Sequence, residues 1–421
     1  MSGRTARRRV TMAEVARAAG VSVMTVSYAY GQPGRVSDEA RARVREAAER
    51  LGYPGPHPGA RSLRRGHTGT LGVVLGEHLT YAFDDPQATR FLSGVAQVCA
   101  DHGMALTLVP VTGAPSDVDR VTEAAVDAFV VWTTADDDPV IDAITATGLP
   151  AVIHGGPHRD GLFFVAADDR AAAAAVGREV FAGARRPGVL SFPLDRDRIS
   201  QVAFGTAGPG PLPDLGRTPT PDRGRVPATA PSAPVPASVP AALDPNAEPP
   251  GTTPASASPG IDPDASTFRV TRQRLRGYRD AWAETGGDWS QVLVAVCSTN
   301  SAHEAEALVA ELLTGPYACD AIAAMSDELA LGALRTAARL GLSVPGDLTL
   351  SGWDDSDAAT PAGLTTIAQS LRDQGARCAR TALGHPAPAD QSTDISWHLI
   401  SRTSTRRPGK TGTHGVTEPP A

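Results

Sequence analysis

Lysine is almost missing from this chain: Lys410 is the only one, so nearly all the positive charge is arginine. With the excess of Ala, Gly and Pro, this bias reflects genome composition rather than chemistry. No run of 18 apolar residues occurs, so no membrane-spanning segment is expected. Met1 to Val10 is arginine-rich with no apolar stretch behind it, so no secretory signal is expected either. The four cysteines (Cys99, Cys297, Cys319, Cys378) are scattered, with no CxxC and no neighbouring His pair. That argues against a structural zinc site and a disulfide framework, and it fits the reducing cytoplasm. GxSxG, GxxxxGK[ST], HExxH and a strand-linked GxGxxG are all absent. The expectation is therefore a non-enzyme that needs no cofactor or metal.

What is present suits two or three domains: 421 residues, 41% hydrophobic and 20% charged. The net charge of −7 conceals an asymmetry. Residues 1–66 carry thirteen Arg against five Asp/Glu, a net of +8, so the other 355 residues carry −15. A small basic head on a large acidic body points to a polyanionic partner for the head; the plainer alternative is a solvated basic tail. Composition divides the chain further. Residues 1–53 are helical in pattern, and 54–69 form a Pro/Gly-rich connection. Residues 70–204 and 266–400 alternate β-rich runs with alanine-rich amphipathic stretches. Between them, 205–265 reads as a disordered insertion: positions 209–263 hold sixteen of the 36 prolines and no aromatic residue. Residues 401–421 read as a flexible tail.

In the head, Thr11 and Glu14 form a capping box, Gly20 ends the first helix, and Ser22 caps a second over Val23 to Ala29. Ser37 opens a third helix that runs to Leu51. Two short helices joined by a Gly turn make a helix-turn-helix, whose second helix enters the DNA major groove N-terminal end first. Val23 and Met24 then offer apolar contact to bases, and Tyr28 offers a hydroxyl one turn on. Thr11, Ser22, Thr25, Ser27 and Ser37 suit phosphates, and Arg35 suits a base edge or a phosphate. The alternative is a plain three-helix bundle with Val23 in its core and Ser22 as a mere cap.

In the body, strands are expected at Thr70–Leu75, Ala105–Val109, Ala128–Trp132, Ala151–His154, Gly188–Phe192, Val292–Val296, Ala321–Met325 and Leu348–Trp353. Helices are expected at Arg90–His102, His303–Leu313 and Glu328–Leu340. Apolar strands alternating with helices argue for α/β architecture: two doubly wound parallel sheets in two lobes, with ligand bound in the cleft, beyond the strand C-termini.

The run Val10-Thr11-Met12-Ala13-Glu14-Val15-Ala16-Arg17-Ala18-Ala19-Gly20-Val21-Ser22-Val23-Met24-Thr25-Val26-Ser27 resembles the head of the LacI/GalR family of bacterial transcriptional regulators. Arg35-Val36-Ser37, Leu51-Gly52-Tyr53 and Ala60-Arg61-Ser62-Leu63 continue the resemblance in register. In the body, Asp168-Asp169-Arg170, Arg274 to Tyr278, Ser326 to Gly332, Gly352 to Asp355 and Leu364 to Gln369 match the family's landmarks. The likeness spans nearly the whole chain apart from the insertion and tail. It implies an all-α helix-turn-helix head on a two-lobed periplasmic-binding-protein-like body. It also implies a homodimer, a near-palindromic double-stranded operator, and a small effector, with a sugar expected.

By that resemblance, Val23, Met24 and Tyr28 read bases, Thr11 and Met12 belong to the DNA face, and Ala60 and Leu63 fall on a hinge helix whose paired leucines wedge into the minor groove. The alternative for Leu63 is an ordinary linker residue. Arg274, Ser326, Asp327 and Asp354 line the effector cleft with Gln369 near its mouth, while Tyr81, Phe83 and His154 contribute from the first lobe. Carboxylates accept from adjacent hydroxyls and an Arg fork donates to them. The alternatives are a lobe-bridging ion pair for Arg274 and Asp354, and ordinary packing for His154 and Phe83. The chain departs from the family's pattern in several places. Tyr28 stands where Arg is usual, Gly31 and Ser326 where Asn is usual, and Gly155-Gly156 replace an acidic and basic pair. Pro58-Gly59 fall where the hinge helix is expected. The rival reading is a solute-binding protein of the same body fold, but the basic head and lack of a signal peptide speak against it. Ligand is expected to shift a two-state regulator, most commonly a repressor in this family.

Overall fold

The computed structural model describes residues 10–55, 67–76, 79–206, 260–385 and 394–406. Ala60, Leu63 and Pro58-Gly59 therefore lie outside the described residues, as do positions 207–259 and 407–421.

The head is built from local signals. Helix α1 (Met12–Ala19) starts at the Thr11–Glu14 capping box and stops at Gly20, whose φ of 65° is the left-handed conformation that glycine adopts most cheaply. Helix α2 (Val23–Gly31) is capped by Ser22, and α3 (Asp38–Leu51) by Ser37. Val15, Ala16, Ala19, Val26, Val44, Ala47 and Ala48 form their common core.

Beyond the head, the chain divides into two compact units. The first contains β1 (Thr70–Leu75), β2 (Ala105–Pro110), β3 (Ala128–Trp132), β4 (Ala151–His154) and β5 (Phe163–Ala167). They pair in the order β2-β1-β3-β4-β5, all parallel, and the short strand Asp394–Ile395 extends the sheet beside β5. Helices α4 (Leu79–Asp84), α5 (Pro86–Asp101), α6 (Ser116–Thr122) and α7 (Pro139–Thr147) follow the first three strands. Helix α5 begins four residues before the expected Arg90, because Asp85 caps it and Pro86 supplies the first helical position. It packs against the helix Leu371–Ala382 through two glycines. A Cβ on Gly94 would stand 1.9 Å from the Arg372 carbonyl oxygen, and one on Gly375 would stand 2.1 Å from that of Phe91. No side chain fits there, so the two backbones touch.

Asp127 anchors the entry to β1. Its carboxylate accepts from the backbone N–H groups of Thr68 (2.5 Å), Gly69 (2.7 Å) and Thr70 (3.4 Å) and from the Thr68 hydroxyl (3.0 Å). Burial alone would raise its pKa, but these donors outweigh burial and hold it below the ordinary carboxylate value. A depressed folded-state pKa gives stability that is present above the unfolded value and is lost as pH falls through the folded one. Asp127→Ala is expected to cost about 2 kcal/mol at neutral pH. Its deficit relative to the parent should shrink once the pH drops below about 4. Urea melts of both proteins from pH 7 to pH 3 check this; a deficit that stayed constant over that range would refute it.

The second unit contains β6 (Pro187–Ser191), β7 (Gln201–Phe204), β8 (Leu293–Val296), β9 (Ala321–Ala324) and β10 (Thr349–Ser351), paired in the order β10-β9-β6-β8-β7. Helices α8 (Asp169–Val180), α9 (Arg269–Glu284), α10 (Ala302–Thr314) and α11 (Asp327–Arg339) accompany the sheet. The expectation of two wholly parallel sheets needs one correction: the edge strand β7 runs antiparallel to β8. A strand that pairs on one side only is free to arrive from a short connection. Two segment boundaries also move. Residues 260–265, read as insertion, fold: Gly205 bridges to Ile261, which is 2% exposed, and Pro263–Ala265 make a turn of 3₁₀ helix. Residues 401–406, read as tail, also pack. Ser404 is 2% exposed, donates to the Leu350 carbonyl at 2.6 Å and accepts from the Thr365 amide at 2.8 Å. His398–Ile400 pairs with Thr366–Ala368 just before it.

Candidate functional site

Helix α2 carries no charged residue from Val23 to Gly31. Its only fully buried residue is Val26. Val23 and Met24 are 49% and 54% exposed, which removes the alternative that Val23 is core. An apolar first turn left in solvent on a strongly basic domain is uneconomic for folding and asks for a partner. Three of the proposed phosphate-facing hydroxyls are exposed and act as caps. Thr11 accepts from the Glu14 amide at 3.4 Å, Ser22 from Thr25 at 3.0 Å, and Ser37 from Ala40 at 3.3 Å. The Thr25 hydroxyl lies 2.9 Å from that of Ser22. Ser27 and Met12 are half-buried. The Arg35 guanidinium lies 5.7 Å over the half-buried Tyr28 ring.

In the first unit, backbone strain marks the carboxyl ends of the strands. Thr133, directly after β3, holds φ 33°, a conformation that costs about 1–3 kcal/mol in a β-branched residue. His154, the last residue of β4, is 7% exposed. It stacks on Trp132 with centroids 5.1 Å apart, and Phe91 lies 4.8 Å away. Its Nε2 is 2.6 Å from Gln374 Oε1, and Gln374 donates at 3.4 Å to Gln369. His154 and Gln369, 215 positions apart in sequence, thus join one polar chain through Gln374. Packing is a real part of the His154 role, as the alternative held. Phe83 is the opposite case, 62% exposed and not packed away. The side chain of Tyr81 lies outside the described residues. Gly155 and Gly156 have φ of 77° and 146°. A Cβ on Gly155 would sit 2.5 Å from the Thr133 hydroxyl, and one on Gly156 would sit 2.7 Å from Arg269 Cβ. Backbone geometry thus accounts for these two glycines where the family's usual pair is missing.

The second unit gathers Arg274, Ser326, Asp327 and Asp354. Arg274 is 5% exposed; its Nε donates to Asp169 at 3.0 Å and its Nη1 to the Met325 carbonyl at 2.5 Å. Its guanidinium lies 3.8 Å over the Trp353 ring and 5.4 Å over Phe192. The carboxylate that pairs with Arg274 is thus Asp169, a residue of the quoted landmark that sequence reasoning gave no role. Ser326 caps α11 by accepting from the Leu329 amide at 3.1 Å and donates to Asn300. Asp327 is a brace: one oxygen accepts from the Ser356 amide at 2.7 Å, the other from the Thr366 hydroxyl at 2.8 Å. Burial pushes its carboxyl pKa up, and these donors oppose the shift only in part. The braced turn holds Asp354 at φ 106° and Asp355 at φ 49°, again beyond a strand end. Two buried polar atoms of this turn, Trp353 Nε1 and Ser356 Oγ, have no hydrogen-bond partner among the described residues. Buried polar groups of that kind are uncommon. Trp353 and Trp132 were legible only as members of apolar or landmark runs, and Ser356, one residue past the Gly352 to Asp355 landmark, was not singled out at all.

A basic helix-turn-helix with an unburied reading helix, joined to α/β units whose strand ends are polar and strained, defines a DNA-binding transcriptional regulator with a small-molecule-binding body. A family model described as bacterial regulatory proteins, lacI family, matches residues 11–55, and one for a periplasmic binding protein-like domain matches residues 260–405. The HTH-type transcriptional regulator IpsA of Corynebacterium glutamicum is 34% identical over 382 residues, covering 89% of this chain and 90% of that protein. A LacI family regulator of known structure from Corynebacterium glutamicum is similar with TM-score 0.59 and 28% identity, over 95% of this chain and 99% of that one. The regulator CelR, solved as a complex with cellobiose, shares the fold with TM-score 0.53 and 22% identity, over 94% and 100% of the two chains. The chain belongs to the LacI family of bacterial transcriptional regulators, and the solute-binding reading is set aside. No helix among the described residues is long and apolar enough to cross a membrane.

Proposed function

We propose that this regulator is a cytoplasmic repressor that releases or grips a near-palindromic operator in response to a polyhydroxylated effector of the sugar class. The observation that carries the DNA half is the exposure of Val23 and Met24 at the head of a charge-free helix within a net +8 segment. Val23, Met24 and Tyr28 contact bases. Thr11, Met12, Ser22, Thr25, Ser27, Arg35 and Ser37 contact backbone or base edges, and Ala60 and Leu63 enter the minor groove from the connection 54–69. A homodimer places two heads one helical turn apart, which is what a palindrome requires.

The effector half rests on the strand-end chemistry. Arg274 and Asp354, with the Trp353 and Ser356 polar atoms, form one set, braced by Asp327 and Ser326. Phe83, His154 and Gln369 form the other, with Tyr81 nearby in sequence. Paired carboxylate and guanidinium groups beside aromatic rings fit vicinal hydroxyls on a ring. A sugar-bound regulator of the same fold is in keeping with this ligand class.

The test has two arms. A thermal-shift screen across mono- and disaccharides and nucleosides should yield a ligand that stabilises the protein by about 2.7 kcal/mol at a hundred times its Kd. That ligand should then change operator affinity by about 5- to 150-fold. A ligand that stabilises the protein yet leaves DNA affinity untouched would refute the regulatory coupling; hits confined to nucleosides would refute the sugar class.

A further inference from the structure

Recognition of guanine in the major groove is most often done by a forked donor aimed at O6 and N7. Helix α2 has no such donor, because every residue from Val23 to Gly31 is uncharged. A guanidinium is nevertheless held over this helix. Arg35 is exposed, and its Cζ lies 5.7 Å from the centroid of the Tyr28 ring. Tyr28 follows Met24 by one helical turn, so ring and guanidinium stand beside the exposed reading face.

The backbone makes this placement firm. The Gln32 amide donates to the Tyr28 carbonyl at 2.8 Å, and the Arg35 amide donates to the Gln32 carbonyl at 2.9 Å. Pro33 opens the 3₁₀ turn Pro33–Arg35. Residue 35 is therefore tied to the end of α2 by two consecutive hydrogen bonds. A planar guanidinium lying on an aromatic face keeps its edge free to donate, and the ring restricts its rotamers.

We propose that Tyr28 and Arg35 act as one composite base reader, in which the Tyr28 ring orients the Arg35 guanidinium to donate to guanine at one position of each operator half-site. This rests on the proposal that α2 enters the major groove, and it assigns to the pair what neither residue does alone. Arg35 is the specificity-determining residue and Tyr28 its positioning residue.

The experiment uses the full-length protein and a palindromic operator library from which the preferred site is selected. The selected site is then remade with each base, and with 7-deazaguanine, at the guanine position. Arg35→Ala should flatten the preference at that one symmetric position by about 10- to 100-fold and leave the other positions unchanged. Removing N7 from the guanine should cost the parent protein affinity but leave Arg35→Ala indifferent. Tyr28→Phe loses the hydroxyl but keeps the ring, so the guanine preference at this one position should fall far less than in Tyr28→Leu, which removes the ring. Tyr28→Leu should weaken the preference at the same position, and Arg35→Lys should not restore it. A uniform loss across all sequences on Arg35→Ala would make Arg35 a phosphate contact and overturn this inference alone. A parent protein without sequence preference would overturn it together with the reading of α2.

Discussion

Replacing Arg274 with alanine is expected to destabilise the second unit by about 3–5 kcal/mol. The size follows from what stays behind. Asp169 is 4% exposed and would lose the guanidinium that donates to it at 3.0 Å. The Met325 carbonyl would lose the donor 2.5 Å away, and Trp353 the guanidinium 3.8 Å above its ring. Burial of a carboxylate that has lost its paired guanidinium dominates; the lost packing adds to it. Two variants separate these causes. Asp169→Ala combined with Arg274→Ala removes the stranded charge and should recover part of the loss, whereas Arg274→Lys keeps a charge but not the planar fork. Trp282, Trp289, Trp353 and Trp397 all lie in the second unit, so urea unfolding followed by tryptophan fluorescence reports mainly on it. A loss under about 1 kcal/mol, or a double variant no more stable than the single one, would show that the pair is not a buried ion pair in solution.

The same arginine shows where sequence reasoning reaches its end. Arg274 was legible as a candidate cleft residue, and the Asp168-Asp169-Arg170 run as a family landmark. Their pairing was not, because 105 positions separate Arg274 from Asp169 and nothing local links them. The head is the contrasting case. Its capping box, its Gly20 stop and its Ser22 and Ser37 caps all act within four residues. Local chemistry of that range is written directly in the order of side chains. Strands β1 to β4 were legible for a related reason: each is a short apolar run that must be covered on both faces.

What escaped depends on partners brought by the fold. The antiparallel β7 offers only the short apolar run Val202 to Phe204, which carries no sign of the strand's direction. Residues 401–406 look like a polar tail until Ser404 is seen bonded to Leu350 and Thr365. Asp327 reads as a carboxylate for a ligand, and its bonds to the Ser356 amide and the Thr366 hydroxyl, which hold it in place, could not be read beforehand. Gly94 and Gly375 carry no signal in sequence, although they set how closely two helices approach. In each instance the residue type was visible, and its use was fixed by a neighbour that the sequence does not place.

Operator affinity is expected to fall by about 10³- to 10⁵-fold between 50 and 200 mM salt, given the 6–10 phosphate contacts usual for such a dimer. Each head contributes a net +8 from residues 1–66, thirteen Arg less five Asp/Glu, while the remaining residues carry −15. Counterions released from DNA by the heads supply the favourable term, and raising the salt erases it. The acidic remainder cannot replace that term, since it repels phosphate at low salt and is merely screened at high salt. Removing one phosphate-contacting arginine per protomer takes two contacts from the dimer, so the slope of log K against log salt should become shallower by about 1.8. Arg17 is exposed in the last turn of α1 and tests this as Arg17→Gln. Fluorescence anisotropy on a fixed operator over a salt series gives both slopes. A parent slope shallower than about −2 would mean that the basic head is not what holds the duplex. The exposed apolar turn of α2 would then have to bind without electrostatic help, which its two side chains, Val23 and Met24, are too small to do.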